Sequence, residues 1–200
     1  MDCDIRELES SAVYKILTGS ILPRPIAWVS TQDKLGVANL APFSFFTVAS
    51  LNPPVLAVSI LRKPDGSEKD SLRNIRDTGE FVVNIANQPL AEAMNLSCGA
   101  YPAEVDEFDV AGLQKSRGQS VHAPGVAQAP VRFECVLHGS LDIGAGPGAG
   151  TLVLGEIRHL HVADQVYRQG HIDLDALQAI GKLAGDGYAR VHDDFDLARP

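Results

Sequence analysis

The spacing of apolar positions changes several times along the chain, and each change marks an element. Between Glu7 and Leu17 they fall at Leu8, Ala12, Val13, Ile16 and Leu17, the spacing of a short amphipathic helix ending near Gly19. Pro23 and Pro25 disfavour helix, and Ile26–Ser30 reads as a strand. Asp33–Gly36 is a turn in which Gly36 is free to take a positive φ, and Val37–Ser44 returns extended, interrupted by Pro42. Asn52-Pro53-Pro54 is a stop, and Val55–Leu61 is a compact apolar run of the kind that forms a buried strand. After a polar turn at Lys63–Ser67, the spacing predicts a helix over Ser67–Arg76, capped by Ser67 and closed by Thr78-Gly79.

The second half repeats this alternation. Glu80–Ile85 reads as a strand and Pro89–Leu96 as a helix. Tyr101–Val126 is rich in loop-forming residues and long for a structureless connection, which points to an excursion near a functional site. Val131–Leu141 and Thr151–Val162 are long strands on either side of the glycine-rich turn 144–150 and form a hairpin-like unit. Asp173–Ile180 reads as a short helix and Gly181–Val191 as an extended, glycine-rich end. Several antiparallel strands with few short helices predict a mainly β fold, a β-barrel that also carries helices, with a mixed α+β sandwich as the alternative. A doubly wound fold lacks the strand–helix alternation it needs. No repeat or linker divides the chain, so residues 1–200 are expected to form a single domain.

Composition narrows the function classes. The net charge of −8 opposes a nucleic-acid backbone, although Arg24, Arg62, Lys63 and Lys69 could line a local pocket for one phosphate. Cys3, Cys98 and Cys135 form no paired motif, and Cys98 and Cys135 read as small core residues. The start lacks the apolar core of a signal peptide and no apolar run reaches membrane-spanning length. The expectation is a protein of a reducing cytoplasm, with neither nucleic acid nor membrane as partner.

Most candidate chemistry in the chain has a bland reading beside the functional one. The glycine run precedes a strand, whereas a phosphate-cradling loop needs a helix N-terminus, so it reads as a flexible turn. His159 and His161 share one face of a strand, but no third ligand stands at a telling spacing, and a half-buried polar face is the simpler reading. No nucleophile elbow is present. Pro23–Thr31 and Asn39–Phe46 differ: they combine a proline-fixed Arg24, Trp28, the hydroxyls of Ser30 and Thr31, Asn39, and three phenylalanines in eight positions. A planar, polar-edged ring needs backbone amides for its edge and apolar faces for its plane. Strand, turn and aromatic core is the equally good bland reading. Likewise Lys69-Asp70-Ser71 suits an anion at a helix start, or an ordinary capped helix.

In order along the chain, these motifs resemble the flavin-reductase-like, FMN-binding split-barrel family. The carriers are Pro23–Thr31, Gly36–Phe46, Pro53-Pro54, Lys69-Asp70-Ser71 with Asn74-Ile75, Gly79–Asn84, Asp106-Glu107-Phe108 with Ala111-Gly112-Leu113, Glu134-Cys135, Gly155-Glu156-Ile157, and Gly185 with Tyr188. The resemblance implies a homodimer of six-stranded Greek-key split barrels with FMN near the dimer interface. It implies flavin reduction by NADH or NADPH, for use in place or for a partner monooxygenase. Under it, Ser30, Thr31 and the loop of Asn39, Leu40, Ala41, Pro42 and Ser44, with Trp28 in the same motif, would contact the flavin ring and ribityl chain. Lys69, Asp70 and Ser71 would lie at the phosphate with Arg24, and Tyr188 near the ring. Phe43, Phe45 and Phe46 alternate imperfectly, which would leave one for a partner chain. Lys182 stands where relatives often carry arginine, losing the planar fork and leaving nucleotide preference open. The rival expectations are a non-catalytic flavin carrier, a reductase acting directly on an organic substrate, and a metal-binding barrel.

Overall fold

The computed structural model describes residues 2–198. Seven strands make one antiparallel sheet: β1 (Ala27–Gln32), β2 (Ala38–Phe43), β3 (Phe46–Leu51), β4 (Pro54–Leu61), β5 (Glu80–Ile85), β6 (Val131–Asp142) and β7 (Gly150–Val162). Their order is β2-β1-β5-β6-β7-β4-β3. In an alternating antiparallel sheet of seven, the two edge strands run in the same direction. Here those edges, β2 and β3, are joined only by Ser44 and Phe45. Two residues cannot carry the chain back along a strand, so β3 must continue β2 past a bend. One bent strand therefore pairs with β1 through its first half and with β4 through its second, which curls the sheet into a barrel. Counting it once gives the six strands implied by the resemblance. The fold is the mainly β split barrel of the flavin reductases.

Strand β1 shows why the elements form where they do. Ala27 and Val29 point into one apolar cluster, with Phe43, Leu56, Val58, Ile60, Phe81 and Val83. Ile26 and Trp28 point the opposite way into a second, with Leu40, Met94, Phe108 and Ile180. The period of two thus feeds two cores, and a strand buried on both faces reads as a nearly continuous apolar run. Pro42 is accommodated because β2 meets only β1 on its hydrogen-bonded side, as an edge strand allows. Gly155 on β7 faces the Phe81 ring, and a Cβ there would stand 2.3 Å from Phe81 Cζ, so only glycine lets that ring fill the barrel.

Among the described residues, five α-helices surround the sheet: α1 (Ser10–Ser20), α2 (Asp70–Thr78), α3 (Ala91–Leu96), α4 (Glu107–Val110) and α5 (Leu174–Leu177). Helix α2 packs Leu72 and Ile75 into the first cluster and ends at Gly79 in the left-handed region, as expected. Its start is corrected: Lys69 holds the N-cap position, no side chain caps it, and the Ser67 hydroxyl instead donates to Asp65 at 2.6 Å. Helix α5 is shorter than expected, capped by Asp173, and Ile180 already belongs to a strand. The last segment is a small hairpin, β8 (Ile180–Lys182) with β9 (Tyr188–Arg190). No strand was predicted over Phe46–Leu51; it forms as β3 although Val48 and Leu51 are exposed. The glycine-rich stretch is the turn between β6 and β7.

Candidate functional site

A cavity of about 770 Å³ opens where β2, the start of α2, the turn after β4 and the α3–α4 connection meet. That is within the range of small-molecule sites. Its wall contains Asn39, Ala41, Pro42, Arg62, Lys63, Lys69, Asp70 and Ser71, all singled out in the sequence and brought together from separate segments. It also contains Glu107.

Inside that wall runs a buried polar chain. The Ser71 hydroxyl donates to Asn39 Oδ1 at 2.7 Å, and Asn39 Nδ2 donates to Glu107 Oε1 at 2.8 Å. The backbone N–H of Leu40 donates to Glu107 Oε2 at 2.9 Å. Behind it, Asn74 Nδ2 donates to Thr31 Oγ1 at 3.1 Å. Glu107 reaches this place because α4 is pinned by its own cap, Asp106 accepting from the Phe108 N–H at 3.0 Å, and by Phe108 in the second core cluster. Burial pushes the Glu107 carboxyl above the usual carboxylate range, outweighing the stabilising bonds from Leu40 and Asn39.

The same wall carries the basic residues Arg62, Lys63 and Lys69. Lys69 Nζ lies 5.5 Å from the centre of the Phe43 ring. Lys63 pairs with Asp70 at 3.2 Å, and Arg62 with Glu68 at 3.3 Å. Burial acts to raise the Asp70 carboxyl, but Lys63 and Arg73 more than offset it and hold the group below its ordinary value. Arg62 Nε is buried with no hydrogen-bond partner.

The remaining expected residues lie elsewhere. Trp28 is fully buried, its Nε1 donating to Ser97 Oγ at 2.9 Å behind the cavity wall. Ser30 donates to the Pro124 carbonyl at 2.6 Å and accepts from Asn84 Nδ2 at 3.0 Å. Thr31 and Leu40 have no exposed surface. Arg24 is buried: Nη1 donates to the carbonyls of Thr18 at 2.6 Å and Ile21 at 3.0 Å, and Nη2 to that of Leu183 at 3.0 Å. Its Nε donates to Ser44 Oγ at 3.2 Å, and both residues border a separate apolar pocket of about 330 Å³.

Tyr188 lines a second cavity of about 1120 Å³ with Lys182, Asp186, Arg190 and His192. Lys182 Nζ stands 4.5 Å over the Tyr188 ring. Cys98 lies on the walls of both cavities and is exposed, which corrects its reading as a core residue; Cys135 is buried, and burial pushes its thiol up to about 12. His159 and His161 are exposed, and no group of three metal-ligating side chains is present among the described residues.

Glu107 is the wall residue to which sequence reasoning assigned no role. The available signals were the unusual length of its loop and its place in the Asp106-Glu107-Phe108 motif. Tyr101 shared only the loop signal, and Ser97 had none.

Comparison with known proteins agrees with this geometry. Residues 18–176 match the model of the flavin reductase like domain, and the chain belongs to that family. An uncharacterized protein of Halalkalibacterium halodurans is 40% identical over 189 residues, covering 94% of this chain and 90% of that one. The structure of nitrilotriacetate monooxygenase component B from Bacillus cereus superposes with a TM-score of 0.95 at 37% identity, covering 98% of each chain. That of 2-nitrobenzoate 2-nitroreductase from Pseudomonas fluorescens gives 0.90 at 27% identity, covering 100% of this chain and 96% of that one.

Proposed function

We propose that this protein binds FMN in the cavity between Glu107 and Lys69 and reduces it with NADH or NADPH, supplying a partner monooxygenase. The observation that carries the reading is one cavity wall that holds basic residues together with apolar and backbone surface. Arg62 lines this cavity, and Lys69, at the uncapped start of α2, lines it too. Both features suit a phosphate. Ala41 and Pro42 of β2 supply apolar and backbone surface for a ring. The residues present therefore fit a flavin mononucleotide.

Bound flavin supplies the hydride-accepting ring, and the protein orients it. Arg62 and Lys69 hold the anionic end, β2 the ring edge, and the walls exclude water. The second cavity meets the first at Cys98, and its Lys182 and Arg190 suit the phosphates of a nucleotide donor. No side chain has to move a proton for the hydride transfer itself. Homodimerisation is part of the reading. Helix α1 buries only Thr18 while Tyr14, Leu17 and Ile21 stay exposed, an apolar face of the kind a second copy covers. Sedimentation as a monomer at micromolar concentration would remove that part. The reading also places the protein in the cytoplasm.

The test is the absorbance spectrum of the purified protein with FMN, before and after anaerobic NADH and then NADPH. Bleaching with either supports the reading; no flavin affinity removes it. Bleaching with neither leaves a flavin carrier. A second reading, direct reduction of an organic substrate, is favoured by the size of the adjoining cavity. Reoxidation of the reduced protein by a nitroaromatic with no free flavin present would establish it.

A further inference from the structure

The hydrogen-bond chain in the cavity wall has a direction, and Glu107 sets it. The Leu40 N–H is a backbone donor and cannot reverse, so Glu107 Oε2 must accept. Glu107 Oε1 accepts from Asn39 Nδ2, which leaves Asn39 Oδ1 to accept the Ser71 hydroxyl hydrogen. Apart from the second amide hydrogen of Asn39, every side-chain donor of this trio is spent inside the protein. What remains for the cavity is lone pairs, on Ser71 Oγ and on both Glu107 oxygens, with the carboxylate charge behind them. The same cavity wall also carries Arg62, Lys63 and Lys69. A wall of acceptors repels phosphate and attracts O–H or N–H groups.

We propose that Glu107 is the specificity-determining residue of this cavity, orienting Asn39 so that Ser71 is held as an acceptor and the donor-bearing part of a flavin seats against Ser71 and Glu107. The phosphate then lies at the Arg62–Lys69 rim and away from Ser71. This rests on the flavin reading above. Two parts of a flavin carry donors, the ribityl hydroxyls and the ring imide N–H, and both satisfy the same wall. Asn39 and Glu107 act together: Asn39 is a positioning residue whose amide orientation Glu107 dictates.

Glu107→Gln makes a sharp test, because it keeps the shape and reverses the wiring. To keep the Leu40 bond, the new amide must accept there and point its NH₂ at Asn39. Asn39 then turns over, its own NH₂ faces Ser71, and the Ser71 hydrogen is released toward the cavity. The wall changes from acceptor to donor.

The measurement is the dissociation constant of the full-length protein for four probes: FMN, riboflavin, lumiflavin (no ribityl chain) and N3-methylriboflavin (no imide N–H). For the native protein, one of the last two is expected to bind about tenfold or more weakly than riboflavin, the size of a hydrogen bond to a charged group. Which one does so identifies the donor. Glu107→Gln is expected to weaken riboflavin about tenfold and to shrink the gap between riboflavin and that analogue to below about threefold. A loss of packing alone would weaken all four probes together. Equal binding of riboflavin and both analogues by the native protein overturns the inference while leaving the flavin reading intact, and needs no variant to fold. A variant that keeps the native gap overturns it as well. Binding of no flavin removes both.

Discussion

Arg24 and Arg62 are both basic residues that a phosphate could attract, and the fold uses them in opposite ways. Arg24 is buried with all three guanidinium nitrogens bonded, three of its four bonds ending on backbone carbonyls of α1, the segment after it, and the hairpin β8–β9. It also sits opposite Lys182 in a backbone bridge. It clasps the N-terminal segment to the end of the domain. Arg62 has one nitrogen buried and unpaired beside a cavity, and its other bonds, to the Gly66 carbonyl and Glu68, are long at 3.3 Å. A fully bonded guanidinium holds a structure together; one on a cavity wall with a nitrogen left unbonded keeps a donor in reserve.

That contrast can be broken experimentally. The largest expected effect is on Arg24→Ala, which leaves three carbonyls without their donor and should cost on the order of 3 kcal/mol of stability by denaturant titration. The folded fraction should retain its FMN affinity. A loss below about 1 kcal/mol, within the range of ordinary surface substitutions, would show that the clasp is not structural. Next, Arg62→Ala should weaken FMN about tenfold by calorimetry while riboflavin binding and stability stay unchanged. Equal losses for both ligands would place the phosphate elsewhere. Lys69→Ala should cost FMN only a few-fold, and the effect should fade in high salt, because an ammonium acts as a screened point charge.

The smallest effect concerns pH. The Asp70 carboxyl is held below its ordinary value, so the stability it adds is present above that value and is lost as pH falls through the lowered one. Asp70→Asn should therefore flatten the acid limb of the stability profile. Glu107 has the opposite sign. Its raised carboxyl means the folded state binds the extra proton, so stability falls as pH rises through its folded-state value. Glu107→Gln should remove that slope, and a slope that persists would place its origin in another group.

Much of the architecture was legible in the chain. Alternation marked β1, β5, β6 and β7, and Pro53, Gly36 and Gly79 marked ends, because backbone sterics at proline and glycine act locally. Helix α2 was legible as an element, but its first residues were misplaced. Ser67 has cap chemistry, yet the helix begins at Asp70 with Lys69 at the N-cap, so Ser67 lies ahead of the first turn and its hydroxyl donates to Asp65. Strand β3 was illegible because it is largely exposed; pairing with β4 makes it a strand, and its own pattern does not.

The site was legible in part. Asn39 and Lys69–Ser71 do meet in one cavity. Trp28, Ser30 and Arg24 carry equally suggestive chemistry but spend it on Ser97, Pro124 and distant carbonyls. Cys98 shows the reverse error, a small apolar residue by type that the fold leaves on the walls of two cavities.

The sequence by itself determined most of the strands and turns, the family and the supply of polar groups, since these follow from periodicity, local sterics and ordered motifs. Only the tertiary structure decided which of those groups remain free. A polar side chain is available to a ligand when no protein partner has taken it, and here the partners lie far away in the chain: Leu183 for Arg24, Glu107 for Asn39. Because the chain closes into a barrel and returns across it, those distant pairings are set by packing, and packing made Arg24 a clasp and Glu107 an acidic part of the cavity wall.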